Sequence, residues 1–206
     1  DAINQVVGNG IYEPAQQPFP PASPYFNQKY PLVKPDIAKA KALLKQAGFP
    51  TVQAELNFAN NTIASSVAEM IQAMAAQAGF QLSLRPTEYA AMLANDAQGK
   101  FQLDMRGWSG RVDPDGNIFN FVTCKGHEND GRYCNEEIDR LLNKARTEPD
   151  VASRQAIYAQ AQDILQEDLP DVYLYYQPWP FATRAQLRGF KPLPDGMIRL
   201  RGVSLS

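Results

Sequence analysis

The sequence predicts an α/β fold: a mainly parallel sheet with flanking helices, followed by a helical hairpin. Three observations carry this expectation. Segments with period-two alternation near residues 52, 80 and 101 are separated by stretches of helical periodicity, so strand, helix and strand succeed one another. That succession implies parallel strands joined by right-handed crossovers. Two more helical stretches then follow with no strand between them, the pattern of two packed antiparallel helices.

The opening residues Ile3, Val6 and Val7 have helical spacing but are too few for a stable helix alone, so they read as the tail of a longer element. Because it starts at Asp1 and not at a Met, the chain is expected to have a processed or engineered start and to be a fragment of a larger protein. Residues 1–35 are expected to form an extended wrapping segment. Pro14, Pro18, Pro20, Pro21, Pro24, Pro31 and Pro35 forbid helix, while Phe19, Tyr25, Phe26 and Tyr30 supply apolar area that can pin it to a core.

From Asp36, an N-cap, Ile37, Ala40, Leu43, Leu44 and Ala47 mark a helix that Gly48 ends. Val52, Ala54, Leu56 and Phe58 alternate as a strand, and Asn60-Asn61-Thr62 caps a helix carrying Ile63, Val67, Met70, Ile71 and Met74. Phe80, Leu82 and Leu84 give a second strand, Glu88 to about Ala97 a helix, and Phe101, Leu103 and Met105 a third strand ending at Gly107-Trp108. The clean alternation implies a sheet whose two faces are not equally apolar.

Asn135 caps the first hairpin helix, with Ile138, Leu141, Leu142 and Ala145 on one face, and residues 151–168 form the second around Ile157, Ala161, Ile164 and Leu165. Pro170 stops it. Residues 172–176 then read as a strand leading to Trp179 and a loop-rich tail through Gly189, Pro192 and Pro194.

A net charge of -2, from 20 basic and 22 acidic residues spread along the chain, offers no footprint for a nucleic-acid backbone, so no nucleic-acid partner is expected. No apolar run approaches the roughly 20 residues that a membrane-spanning helix needs. His127 is the only histidine, and neither a nucleophile-elbow nor a phosphate-loop motif is present. No cofactor is expected. Cys124 and Cys134 bracket a loop rich in Gly, Asn and Asp; a disulfide is the economical reading, and a zinc site adding His127 and Asp130 matches no common ligand spacing, so no metal is expected.

The most informative stretch runs from Gly107 to Asn117, directly after the third strand. Ligands of open α/β sheets bind beyond the carboxyl ends of strands, and Trp108, Ser109, Arg111 and Asp113 present an aromatic face, a hydroxyl, a guanidinium and a carboxylate there. The plainer alternative is a core Trp108, an ordinary Asp113-Pro114-Asp115-Gly116 turn, and Arg111 paired with a neighbouring Asp. A hydrolase using Asp113 and Asp115 and a protein-interaction module built on the aromatic strap are the competing functional readings.

Several segments together resemble the family-5 extracellular solute-binding proteins, which include peptide-, nickel- and opine-binding importer components. They are Asp36 to Pro50 (DIAKAKALLKQAGFP), Gly107-Trp108-Ser109-Gly110 with Asp113-Pro114, Tyr133-Cys134-Asn135 before Asp139-Arg140-Leu141-Leu142, Arg154 to Tyr158 (RQAIY), and Gln162 to Pro170 (QDILQEDLP). The resemblance implies a type II periplasmic-binding-protein-like fold, with residues 1–206 a single C-terminal lobe of a longer two-lobed parent whose N-terminal lobe is missing here. It implies capture of a small-molecule or short-peptide ligand by hinge closure and delivery to an ABC permease, without catalysis. The protein would be periplasmic or extracellular, free or lipid-anchored. Peptide-binding relatives tend to place an Asp for the ligand's amino terminus shortly after the Gly-Trp motif. Arg111 stands at that place here, which implies a contact to a carboxylate or similar anionic group, with Trp108 stacked on the same ligand.

Overall fold

A computed structural model of the chain describes residues 1–193 and 195–206; Pro194, assigned from sequence to the C-terminal tail, lies outside the described residues. In chain order the elements are α1 (Ala2–Val6), β1 (Glu13–Pro14), α2 (Ile37–Gln46), β2 (Val52–Ala59), α3 (Thr62–Ala76), β3 (Phe80–Thr87), α4 (Tyr89–Asp96), β4 (Leu103–Met105), α5 (Asp115–Val122), α6 (Glu136–Thr147), α7 (Val151–Asp168), β5 (Tyr175–Tyr176), β6 (Leu187–Arg188) and β7 (Ser204–Leu205).

The helices begin where short polar side chains can take up a free backbone N–H. Asp36 accepts from Lys39 at 2.8 Å, Asn61 from Ala64 at 2.9 Å and Asp150 from Ser153 at 2.8 Å. The strands β2, β3 and the short β4 form one sheet in the order β3-β2-β4, all parallel, with Leu56 opposite Leu84 and Leu103. Because β2 is central, the crossovers through α3 and α4 run in opposite directions. Right-handed connections therefore put the two helices on opposite faces.

Those faces differ as the alternation implies. Leu56 and Phe58 pack with Ala68 of α3 in a small apolar core joined by Ile71, Leu84 and Met105. The intervening residue Asn57 is buried at 1% exposure and is polar.

A second, larger core lies among α5, α6 and α7. Ile118, Val122, Ile138, Leu141, Leu142, Ile157, Tyr158 and Leu165 are buried together with Phe19 from the proline-rich segment. The Tyr158 ring meets Phe19 edge-on at 5.8 Å and Tyr25 at 5.1 Å. Three glutamines of α7 fasten that segment: Gln155 donates to the Pro24 carbonyl at 2.9 Å, Gln162 to Tyr25 at 3.1 Å and Gln166 to Gln16 at 2.7 Å. The chemistry suits the sequence. Prolines lack N–H groups but keep their carbonyls, so a proline-rich strand is acceptor-rich and is met by side-chain donors.

Three features differ from the sequence expectation. Residues 115–122 form α5 where turn chemistry alone was expected, with Ile118 and Val122 buried one turn apart. The 172–176 strand shrinks to Tyr175–Tyr176, which pairs antiparallel with Glu13–Pro14 and not with the main sheet. Its partner contains a proline, which cannot donate to a ladder. Finally, α2 forms as expected but buries none of its residues, leaving Leu43 54% exposed.

Candidate functional site

The loop from Gly107 to Pro114 joins β4 of the sheet core to α5 of the helical core, beyond the carboxyl end of the sheet. Trp108 is 45% exposed and is held edge-on by Phe121 of α5 at 5.0 Å. The Arg111 guanidinium lies over the indole, 4.6 Å from its centroid. Its Nη1 donates to Ser109 Oγ at 2.8 Å and to the Gly110 carbonyl at 2.7 Å.

The Arg111 backbone is fixed as well. Its N–H donates to Asn117 Oδ1 at 2.6 Å, and Asn117 Nδ2 donates back to its carbonyl at 2.7 Å. Gly110 turns the chain at φ +70, a conformation that side chains other than glycine resist. A Cβ on Gly116 would stand 2.8 Å from Arg111 Cγ, so the stem of Arg111 lies where only glycine leaves room. Trp108, Ser109 and Arg111 are thus brought together on an exposed face, and no carboxylate pairs with Arg111 among the described residues.

Asp113 does not join them. Its two oxygens accept from Arg154 Nη1 and Nη2, each at 2.9 Å, and one also accepts from the Asp115 N–H at 2.9 Å. The Arg154 hydrogen bonds hold its carboxyl below the usual range. Asp115 pairs with Arg146 at 3.2 Å, and Arg146 in turn lies 4.1 Å above the Phe119 ring. Each carboxylate is spent on a different helix of the hairpin, so they do not converge as a hydrolytic pair must. The plainer sequence alternative is also not met, since Arg111 takes no neighbouring Asp and Trp108 is not in the core.

Beneath the loop, the α4 face of the sheet carries a polar layer that periodicity could not reveal. Asn57 Nδ2 donates to Asp104 Oδ1 at 3.2 Å, and Thr87 Oγ1 donates to Asn57 Oδ1 at 2.6 Å. Burial, reinforced by Asp96, pushes the Asp104 carboxyl up to about 6 against the pull of Arg106. Asp96 is 1% exposed, and burial likewise raises its carboxyl.

Cys124 and Cys134 form a disulfide. Closing a loop of this size stabilises the chain by about 2–3 kcal/mol. The alternative zinc set is dispersed, with both cysteines joined to each other, His127 exposed, and Asp130 paired with Arg106 at 2.8 Å.

Residues 1–130 match the family model described as bacterial extracellular solute-binding proteins, family 5 Middle. The di/tripeptide-binding protein 4 of Pseudomonas aeruginosa (strain UCBPP-PA14) is 32% identical over 197 residues, covering 91% of this chain and 37% of the relative. The dipeptide-binding protein of Escherichia coli (strain K12) is 29% identical over 220 residues, covering 100% of this chain and 40% of the relative. Among solved structures, the ABC transporter-associated periplasmic binding protein DppA from Helicobacter pylori in complex with peptide STSA aligns over 100% of this chain and 41% of its own length, with 26% identity and a TM-score of 0.84. The chain therefore spans about two-fifths of the length of these relatives. The fold is that of the type II periplasmic binding proteins, and the chain belongs to the bacterial extracellular solute-binding proteins of family 5.

Proposed function

We propose that this chain is the C-terminal, ligand-contacting lobe of an ABC-importer substrate-binding protein. It captures a small polar solute, peptide-like, opine-like or otherwise anionic, by hinge closure against an N-terminal lobe, and delivers it to a membrane permease. Binding energy in such a protein stabilises the closed state and no transition state, so affinity without turnover is expected. The protein works in the periplasm or outside the cell, free or lipid-anchored. The names of its relatives and its family support this reading.

The observation that carries the site is the Arg111 guanidinium, preorganised over Trp108 without a carboxylate partner among the described residues. Its planar fork suits a carboxylate or similar anion, and a cation already fixed by its own loop loses little entropy on binding one. Trp108 acts through Arg111, whose guanidinium covers its ring, more than by stacking on the ligand directly. Asp113 anchors the loop to α7 through Arg154.

A thermal-shift screen of the full-length protein against dipeptides, opines, sugar acids and metal ions tests this, because a compound that binds only the folded state raises the midpoint. A shift confined to anionic compounds, weakened about ten- to hundredfold in affinity by Arg111→Ala, is the expected result. No shift across the panel, or undiminished affinity in Arg111→Ala, would refute the assignment of the site.

A further inference from the structure

Arg106 stands at the end of β4, immediately before Gly107-Trp108, and grips the disulfide-closed loop with both arms of its fork. Nη1 lies 2.8 Å from Asp130 Oδ2, and Nη2 donates to the Glu128 carbonyl at 3.0 Å. The pair is well shielded, with side chains 21% and 15% exposed, whereas the Arg140–Glu137 pair on α6 is 60% and 48% exposed.

Three more carboxyl groups, each from a different place in the chain, lie within range of the same charge: Asp96 at the end of α4, Asp104 on β4 and Asp171 beyond α7. Asp96 is 1% exposed, and neither of its oxygens has a hydrogen-bond partner among the described residues. At all three the pull of Arg106 is outweighed by burial, which leaves their carboxyls raised, whereas Asp130 is its direct ion-pair partner. A buried acid group is costly, and the nearby Arg106 charge reduces that cost without cancelling it.

The Trp108–Arg111 loop has two anchored ends. Its far end is held by Asp113 on Arg154, and its near end follows directly from Arg106. We propose that Arg106 is a positioning residue for this loop: by docking the end of β4 on the Cys124–Cys134 loop, it sets where Trp108 and Arg111 stand. The inference rests on the assignment of that loop to ligand contact, but the geometry it concerns exists without ligand. Lysine could not substitute, because a single ammonium on a flexible stem does not reproduce two donors aimed at two acceptors of fixed separation.

The test uses the full-length protein labelled with 5-fluorotryptophan, with the Trp108 and Trp179 resonances assigned by their loss in Trp108→Phe and Trp179→Phe. Arg106→Lys and Asp130→Asn are compared with Glu137→Gln, which breaks the exposed α6 pair. Both variants are expected to move or broaden the Trp108 resonance in the absence of any added compound, while the Trp179 resonance and the Glu137→Gln spectrum stay as in the parent. Arg106→Lys, which keeps the charge among the acids, is expected to retain most of the parent's Tm and still displace the resonance. An unmoved Trp108 resonance in both variants, whatever happens to Tm, would overturn the proposal and leave Arg106 a brace of the fold. Since the readout needs no ligand, the proposal and the site assignment fail separately: a displaced resonance in a protein that binds nothing in the panel defeats only the latter.

Discussion

The two cores of this chain are built on different terms. The helical core is large and mainly apolar, with Tyr158, Ile118, Ile138 and Val122 all at 0% exposure. The sheet core is small, centred on Leu56, Phe58 and Ala68, and its other face is a polar layer of Asn57, Asp104 and Asp96 under α4. One half is held mainly by apolar area, while the other balances a few apolar contacts against buried charge. The loop from Gly107 to Pro114 crosses from one to the other.

The largest effect expected from this contrast is at Tyr158. Removing a ring that meets both Phe19 and Tyr25 leaves a cavity that the strap and α7 cannot both collapse into, so Tyr158→Ala should lower unfolding stability by about 3–5 kcal/mol in denaturant titrations. Tyr158→Phe should behave in the opposite way. The hydroxyl is buried without a hydrogen-bond partner among the described residues, so its removal should be neutral or stabilising by up to about 1 kcal/mol. If the Phe variant instead lost more than about 1 kcal/mol, the hydroxyl would have a partner in the helical core.

The sheet half should show itself through pH. Asp104 holds its proton more tightly when folded, with a value raised from 3.8 to about 6 chiefly by burial. Its contribution is therefore fully present below about pH 3.8 and is lost as pH rises through about 6. With allowance for screening of a half-buried group, that loss is about 1–2 kcal/mol. Asp104→Asn should thus exceed the parent in stability at pH 7.5 by about this amount and match it near pH 4. Equal stability curves from pH 4 to 7.5 would show that Arg106 already cancels the cost of the buried acid.

How much of this was legible in the sequence follows the same division. Periodicity located β2, α3 and β3 because alternation at Val52, Ala54, Leu56 and Phe58 is a local signal, and it located α6 and α7 for the same reason. It missed α5 because Asp113-Pro114-Asp115-Gly116 reads as a turn; in the structure Asp113 takes the Asp115 N–H at the entry of a helix. The Ile118, Val122 spacing was the available clue.

The exposed cluster of Trp108, Ser109 and Arg111 could be placed from its position after a strand. The partners that decide its behaviour could not, since Asp113 reaches Arg154 on α7 and Arg106 reaches Asp130 and the Glu128 carbonyl in the disulfide loop. No periodicity records such meetings.

The smallest effect, and the finest probe of the contrast, concerns how the proline-rich segment is joined to the helical core. Gln166 donates to the Gln16 carbonyl at 2.7 Å, the Gln16 side chain accepts from the Val33 N–H at 3.2 Å, and Gln17 closes the same stretch by exchanging two hydrogen bonds with Asn27 at 2.9 and 2.8 Å. Loss of one such bond costs about 0.5–1.5 kcal/mol. If the segment is a separately opening layer on a stiff core, Gln166→Leu should speed amide hydrogen exchange at Asn27 and Val33 while leaving the buried turns of α6 around Leu141 unchanged. Faster exchange spread equally through α6 would mean that the segment and the core open as one unit. In that case Phe19, buried at 1% exposure between them, binds the two more strongly than the glutamines do.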